Sequence, residues 1–280
     1  MNASSRSKPP LVSINIAGLV TSVTCQQQEI IHALERRYEG FTSVESPDFN
    51  LEIIISAEKP HPIAPQIHGA FPRAWFQGQI VRLDAPGYEA QLDLASCRGQ
   101  LQLATQPAID EVDYCLRVIY ALLLFEAGGF LFHGAGIVRG GEAYVFFGHS
   151  GSGKTTVARL SIGDQVLNDD LVAIIPEDGG WVVHATPFWN PTQVQPAPNR
   201  ATLTAFYRLV QDKQVYLEAI SEAAAQAEVL TCIPIVTTDP RRNLTILTRL
   251  AEILKVAPCY RLHFLPDASF WDVIFDKSET

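Results

Sequence analysis

FFGHSGSGKTT, running from Phe146 to Thr156, is the stretch from which the rest of the chain is read. Within it, Gly148-His149-Ser150-Gly151-Ser152-Gly153-Lys154-Thr155 matches G-x-x-x-x-G-K-[ST] at every fixed position. Small residues let successive backbone N–H groups turn inward as an anion-binding nest, which bulky side chains would obstruct. A helix starting near Lys154 would aim its unpaired amides at the same oxygens. In such loops the lysine, here Lys154, reaches the β- and γ-phosphates, and the hydroxyl, here Thr155, ligates Mg2+. Thr156 follows in the first turn, and His149 fills a position that tolerates many side chains. By composition alone the pattern arises in about one chain of this length in a hundred. A strand-like EAYVFFG before it and a helix-forming KTTVARLSI after it supply the context the motif needs. A nucleotide triphosphate is the expected ligand.

A glycine-rich loop alone does not separate motor, switch, transporter ATPase and kinase. The usual second element is an acidic residue at the end of a neighbouring strand, holding Mg2+. VLNDDLVAI supplies Asp169 and Asp170, 15 and 16 residues after Lys154. Adjacent strand residues point to opposite sides, so both face the phosphate only if the chain bends there. A bend would let one carboxylate serve the metal while the other accepts a proton. Asn-Asp-Asp also suits a solvated turn. Beside the glycine-rich loop, the functional reading is preferred.

Outward from this centre the 280-residue chain reads as one large or two modest domains. Hydrophobic residues make up 47% and charged residues 18%, a globular balance. The net charge of −9 and the lack of any basic run argue against nucleic acid and anionic membrane as partners. Cys25, Cys97, Cys115, Cys232 and Cys259 form no CxxC pair and read as reduced thiols of a cytoplasmic protein. MNASSRSKPP has no apolar signal core, and VIYALLLF (Val118 to Phe125) is too short to span a bilayer.

Residues 1–10 read as a loose tail and 11–108 as a small α+β module of mostly antiparallel strands. There LVSINIAGLV, FNLEIIIS, AWFQGQIVRL, YEAQLDLA and GQLQLAT have strand character. QEIIHALERRYEGF (Gln28 to Phe41) has helical spacing, and KPHPIAPQIHGAFP with its four prolines reads as loop. Residues 109–280 form the second region. It opens with the buried-face helix IDEVDYCLRVIYALLLFEAGG, followed by strands FLFHGAGIVRGG and EAYVFFG around the turn Gly140–Gly141. QVLNDDLVAIIP and GWVVHATPF read as strands after the glycine-rich loop. Helices are expected around ATLTAFYRLVQD, LEAISEAAAQAEVL and DPRRNLTILTRLAEILKVA, the last with Asp239 as N-cap and Pro240 at the first helical position. YRLHFLPDASFWDVI closes as strand and short helix. Arg200 is a candidate to stabilise transferred charge from a loop near the acceptor. Arg241 and Arg242 open a helix, which is unfavourable unless an anion or acidic partner offsets them. Phe206, Tyr207, Phe270 and Trp271 read as core, and His133 by itself reads as a structural histidine on an apolar strand.

FLFHGAGIVRGGEAYVFFGHSGSGKTTVARL and VLNDDLVAI together resemble the catalytic domain of HPr kinase/phosphorylase. They are also similar to the wider HPr-kinase-like set that includes kinases near lasso-peptide biosynthesis genes, so a divergent relative of peptide and serine kinases is implied. The likeness covers about residues 115 to 176, with His133 placed 15 residues before Gly148. It implies an α/β fold, a P-loop domain of HPr kinase/PEP carboxykinase-like type preceded by the small α+β domain. It further implies a kinase using ATP and Mg2+, with phosphates on Gly148 to Thr155 and metal on Thr155 and Asp170. Asp169 matches the carboxylate acting as base towards a serine hydroxyl, and His133 the histidine beside it. The family's hexamers make a homo-oligomer an expectation of the resemblance.

Departures qualify this. The Lys154-to-Asp169 gap is about two residues short, Thr156 stands where those enzymes usually carry glutamate, and the C-terminal substrate-gripping signature has no clear match. HPr is thereby disfavoured as acceptor, and a protein, peptide or small-molecule hydroxyl remains. A nucleotide-binding regulatory module without transfer is the alternative, and a switch-type NTPase a third reading. The arginine and metal-ligand set of a phosphoenolpyruvate carboxykinase is not found.

Overall fold

The computed structural model describes residues 9–56, 73–85, 88–103, 109–161, 163–189 and 195–276. Residues 1–8 of the expected tail and the proline-rich 59–72 lie outside them. The chain divides into two compact units, Met1–Ile119 and Tyr120–Thr280, and is mixed α/β with one sheet in each.

In the first unit, strands β1 (Leu11–Ile16) and β2 (Leu19–Cys25) pair as a hairpin. Helix α1 (Gln28–Arg37) buries Ile30, Ile31 and Leu34. It stops four residues before Phe41 because Tyr38 leaves helical geometry, and the Tyr38 hydroxyl donates to Asp113 at 2.9 Å. Strand β3 (Phe49–Ile55) alternates buried and exposed residues, the period-2 signature of a half-covered sheet. AWFQGQIVRL is a hairpin rather than one strand, β4 (Arg73–Gln77) and β5 (Ile80–Ala85). With β6 (Tyr88–Asp93) and β7 (Arg98–Leu103) they give the order β1-β2-β3-β7-β6-β5-β4. Pairing is antiparallel except on the two sides of β3. Helix α2 (Ile109–Glu126) begins in this unit, where Asp113 also takes Arg117 at 2.7 Å.

The second unit positions the glycine-rich loop. Strands β8 (Phe130–His133), β9 (Ala135–Arg139) and β10 (Glu142–Phe147) precede it, and helix α3 (Lys154–Leu160) follows. FLFHGAGIVRGG is therefore two strands. β9 pairs β10 and β8 pairs β12 (Leu171–Glu177), so the chain changes branch at Gly134. β11 (Gln165–Asn168) pairs β9, so the chain makes a second branch change through Asp169 and Asp170 into β12. β13 (Gly180–His184) pairs β12.

ATLTAFYRLVQD is not a helix. It forms the long strand β14 (Arg200–Gln211), parallel to β10 and antiparallel to β13. Ala205, Tyr207 and Leu209 join one apolar cluster with Phe146 and Val157, while Phe206 packs on Phe132 and Phe147 of the opposite face. A strand apolar on both faces has no clean alternation, and a short apolar run of this kind is ambiguous by periodicity alone.

β15 (Tyr216–Ala219) and helix α4 (Glu222–Leu230) divide the next expected helix between them. Helix α5 (Asn243–Val256) follows a 3-10 turn with Pro240 at its start, and the Asp239 side chain accepts from the Arg241 N–H as a cap. β16 (Cys259–Phe264), parallel to β14, and helix α6 (Phe270–Asp276) complete the unit. Phe206, Tyr207, Phe270 and Trp271 are buried, as their residue types indicated. Among the described residues no helix is long and apolar enough to cross a membrane.

Candidate functional site

β10, β14 and β16 run parallel, and the loop Gly148–Gly153 leaves the carboxyl end of β10, where open α/β sheets place their ligands. Its backbone is tight at both ends. A Cβ on Gly148 would lie 2.7 Å from the Ser152 Oγ, and one on Gly153 would lie 2.5 Å from the Phe264 ring. Only glycine fits either place without a shift. Ser152 is buried with its Oγ unpartnered, whereas the exposed His149 ring bonds the Ser150 carbonyl at 2.7 Å. The Gln211 amide at the end of β14 donates to the Gly151 carbonyl at 2.9 Å. Sequence reasoning missed Gln211, because it fell within a segment read as helix.

Lys154 donates from Nζ to the Gly148 carbonyl at 3.1 Å, closing the loop on itself. Burial lowers its pKa, opposed by the nearby Asp170, Cys232 and Asp169. The ammonium is half-desolvated and has only a neutral carbonyl as its hydrogen-bond acceptor, a state that an anion in the loop would improve.

The two branch changes bring the remaining groups together. Leu171 of β12 lies opposite His133 of β8, so Asp170, one residue earlier, meets the histidine ring. His133 Nε2 and Asp170 Oδ1 are 3.0 Å apart, with both side chains partly exposed. The His133 backbone N–H donates to the Cys232 carbonyl at 2.8 Å. Asp169 is 1% exposed, and neither of its carboxylate oxygens completes a hydrogen bond. Burial raises its pKa; the neighbouring Thr155 hydroxyl lowers it and Asp170 raises it further. The histidine thus stands beside Asp170, not beside Asp169 as the resemblance implies.

The orphaned Asp169 carboxylate, the Thr155 hydroxyl near it and the glycine cradle suit a metal-bound polyphosphate. Mg2+ takes one or two carboxylates plus phosphate oxygens and waters rather than a dedicated protein cage. The described residues contain no group of three or more His, Cys, Asp or Glu side chains gathered for a metal.

The other candidates fall elsewhere. Arg200 makes a bidentate pair with Glu177 at 2.9 and 2.7 Å, at the amino end of β14, away from the loop. Arg241 and Arg242 are offset by the buried Asp239, and Arg242 also by Glu126. The acidic partner their position required is internal. No protein-family model matches the chain, and no curated protein matches it.

Proposed function

We propose that the chain is an ATP- and Mg2+-dependent kinase of HPr-kinase-like type, transferring the γ-phosphoryl group to a hydroxyl, preferably serine, of a protein, peptide or small molecule. One observation carries this reading. The His133–Asp170 pair and the buried Asp169 converge on the loop that holds Lys154. A loop that only binds nucleotide needs no partly exposed carboxylate held by a histidine.

The geometry divides the carboxylates differently from the resemblance. Asp169, buried and next to Thr155, fits the metal side, where Mg2+ would spread the charge of the phosphate oxygens. Asp170 is partly exposed, as a group that meets an incoming acceptor must be. It takes the hydroxyl proton while the acceptor oxygen bonds to the γ-phosphorus and the bond to the β,γ-bridging oxygen breaks. ADP leaves. His133 holds the Asp170 carboxylate in place, and Lys154 swings from the Gly148 carbonyl to the phosphates. Positioning and electrostatics supply most of the rate in such transfers.

Incubation with γ-labelled ATP, Mg2+ and a lysate of the source cells tests the reading. Label on an acceptor that vanishes with Asp170→Asn supports it. Tight ATP binding with no labelled acceptor and no turnover overturns it in favour of a regulatory nucleotide-binding module, the alternative motivated by Thr156. Steady hydrolysis without an acceptor points to a switch-type NTPase instead.

A further inference from the structure

Two adjacent carboxylates can be divided between two tasks only if the backbone between them is held in one bend, and the groups that hold it are visible. Asn168, fully buried, is the last residue of β11. Its Oδ1 accepts from the Asp170 N–H at 2.7 Å and from the Leu171 N–H at 3.0 Å. Its Nδ2 donates to the Thr186 carbonyl at 2.9 Å, to the Thr186 Oγ1 at 3.3 Å and to the Phe188 carbonyl at 3.2 Å. Thr186, also fully buried, donates from Oγ1 to the Leu171 carbonyl at 2.6 Å. The amide is satisfied on both sides, which fixes which end is oxygen and which is nitrogen.

The first of these bonds is an Asx turn, a local alternative to continuing the strand. The register of β11 on β9 is already irregular between Val166 and Asn168. Aspartate at 168 would offer acceptors to two carbonyls, and alanine would leave buried amide and carbonyl groups unpaired.

We infer that Asn168, braced by Thr186, is a positioning residue that sets Asp169 beside Thr155 and Asp170 beside His133, and so decides whether a metal-bound phosphate can be held between Thr155 and Asp169. The inference rests on the nucleotide reading above. It assigns a role to side chains that touch neither metal nor nucleotide.

The test is ATP affinity by calorimetry, with EDTA and across a Mg2+ titration, for wild type, Asn168→Ala, Thr186→Val and Thr186→Ser. The expected result for Asn168→Ala is metal-free affinity within about twofold of wild type and a loss of tenfold or more in the Mg2+-dependent gain. Thr186→Val should move the same way by a smaller factor, and Thr186→Ser, which keeps the hydroxyl, should restore wild-type behaviour. A merely structural defect would lower both affinities together. If Asn168→Ala fails to fold, the Thr186 pair decides. Wild-type Mg2+ dependence in Thr186→Val, or equal loss in Thr186→Ser, overturns the inference while the nucleotide reading stands. A wild-type protein that binds no ATP under either condition overturns both.

Discussion

Lys154 and Asp170 meet at one site, but they are held by parts of the chain built in opposite ways. The lysine closes on Gly148, six residues earlier, within a loop whose shape comes from its own glycines. The aspartate stands on a bend whose supports come from far away: His133 on another strand, and Thr186 and Phe188 beyond β13 through Asn168. A loop shaped locally survives changes elsewhere. A carboxylate pair held by distant partners does not. Binding and transfer should therefore be separable by mutation, with damage flowing from the bend to the chemistry more readily than to nucleotide affinity.

The largest expected effect breaks the comparison at the bend. Asp170→Asn should lower phosphoryl transfer by about 10²- to 10⁴-fold, the range for loss of a general base, while ATP affinity stays within about threefold. Quench-flow of labelled ATP alongside calorimetry checks both. Equal losses in rate and affinity would merge the two regions into one functional unit. Breaking it at the loop, Lys154→Ala should weaken ATP binding by about 10- to 100-fold, the weight of a charge-assisted hydrogen bond.

A smaller effect concerns stability. Burial raises the Asp169 pKa, so the folded unit keeps that proton at pH values where the unfolded chain has lost it. The Asp169 contribution is then most favourable below the ordinary carboxylate range and declines as pH rises through the raised folded value. Asp169→Asn should accordingly raise Tm at neutral pH, by about 2–4 °C for each ~1 kcal/mol of relieved desolvation. The gap to wild type should close towards acid pH. Scanning calorimetry across pH measures it, and a variant less stable than wild type at neutral pH would show that the buried carboxylate is compensated. The smallest effect probes a distant support of the loop: Gln211→Ala removes the bond to Gly151 and should cost about 0.5–1.5 kcal/mol of ATP binding.

This contrast also explains what could be read in advance. The strand–tight loop–helix course around Gly148 to Thr155 was legible because glycines at fixed spacing between a strand-like and a helix-forming run state it locally. The bend at Asp169–Asp170 was legible as a requirement, since neighbouring strand residues cannot otherwise serve one site. Its cause was not, because Asn168 looks like any turn residue until Thr186 is placed beside it. The partner of His133 was misplaced by one residue for the same reason: the β8–β12 register, invisible in sequence, chooses Asp170. β14 was taken for a helix because both its faces are covered, so its apolar pattern lost the alternation that identifies a half-covered strand. Helix α5 was found where apolar spacing follows the Asp239–Pro240 start.

The branch change at Gly134 has a bearing on how the protein reaches its native state. β8 and β9 follow one another in the chain but pair with different neighbours, and the bond from Gln211 to Gly151 spans sixty residues. Contacts so distant along the chain form after the hairpins, since their loop-closure entropy is met only when the sheet is largely in place. On the proposed reading, capture of ATP should thus return with the slowest refolding phase, later than the backbone circular dichroism signal, making nucleotide binding a reporter of the last step to the native state.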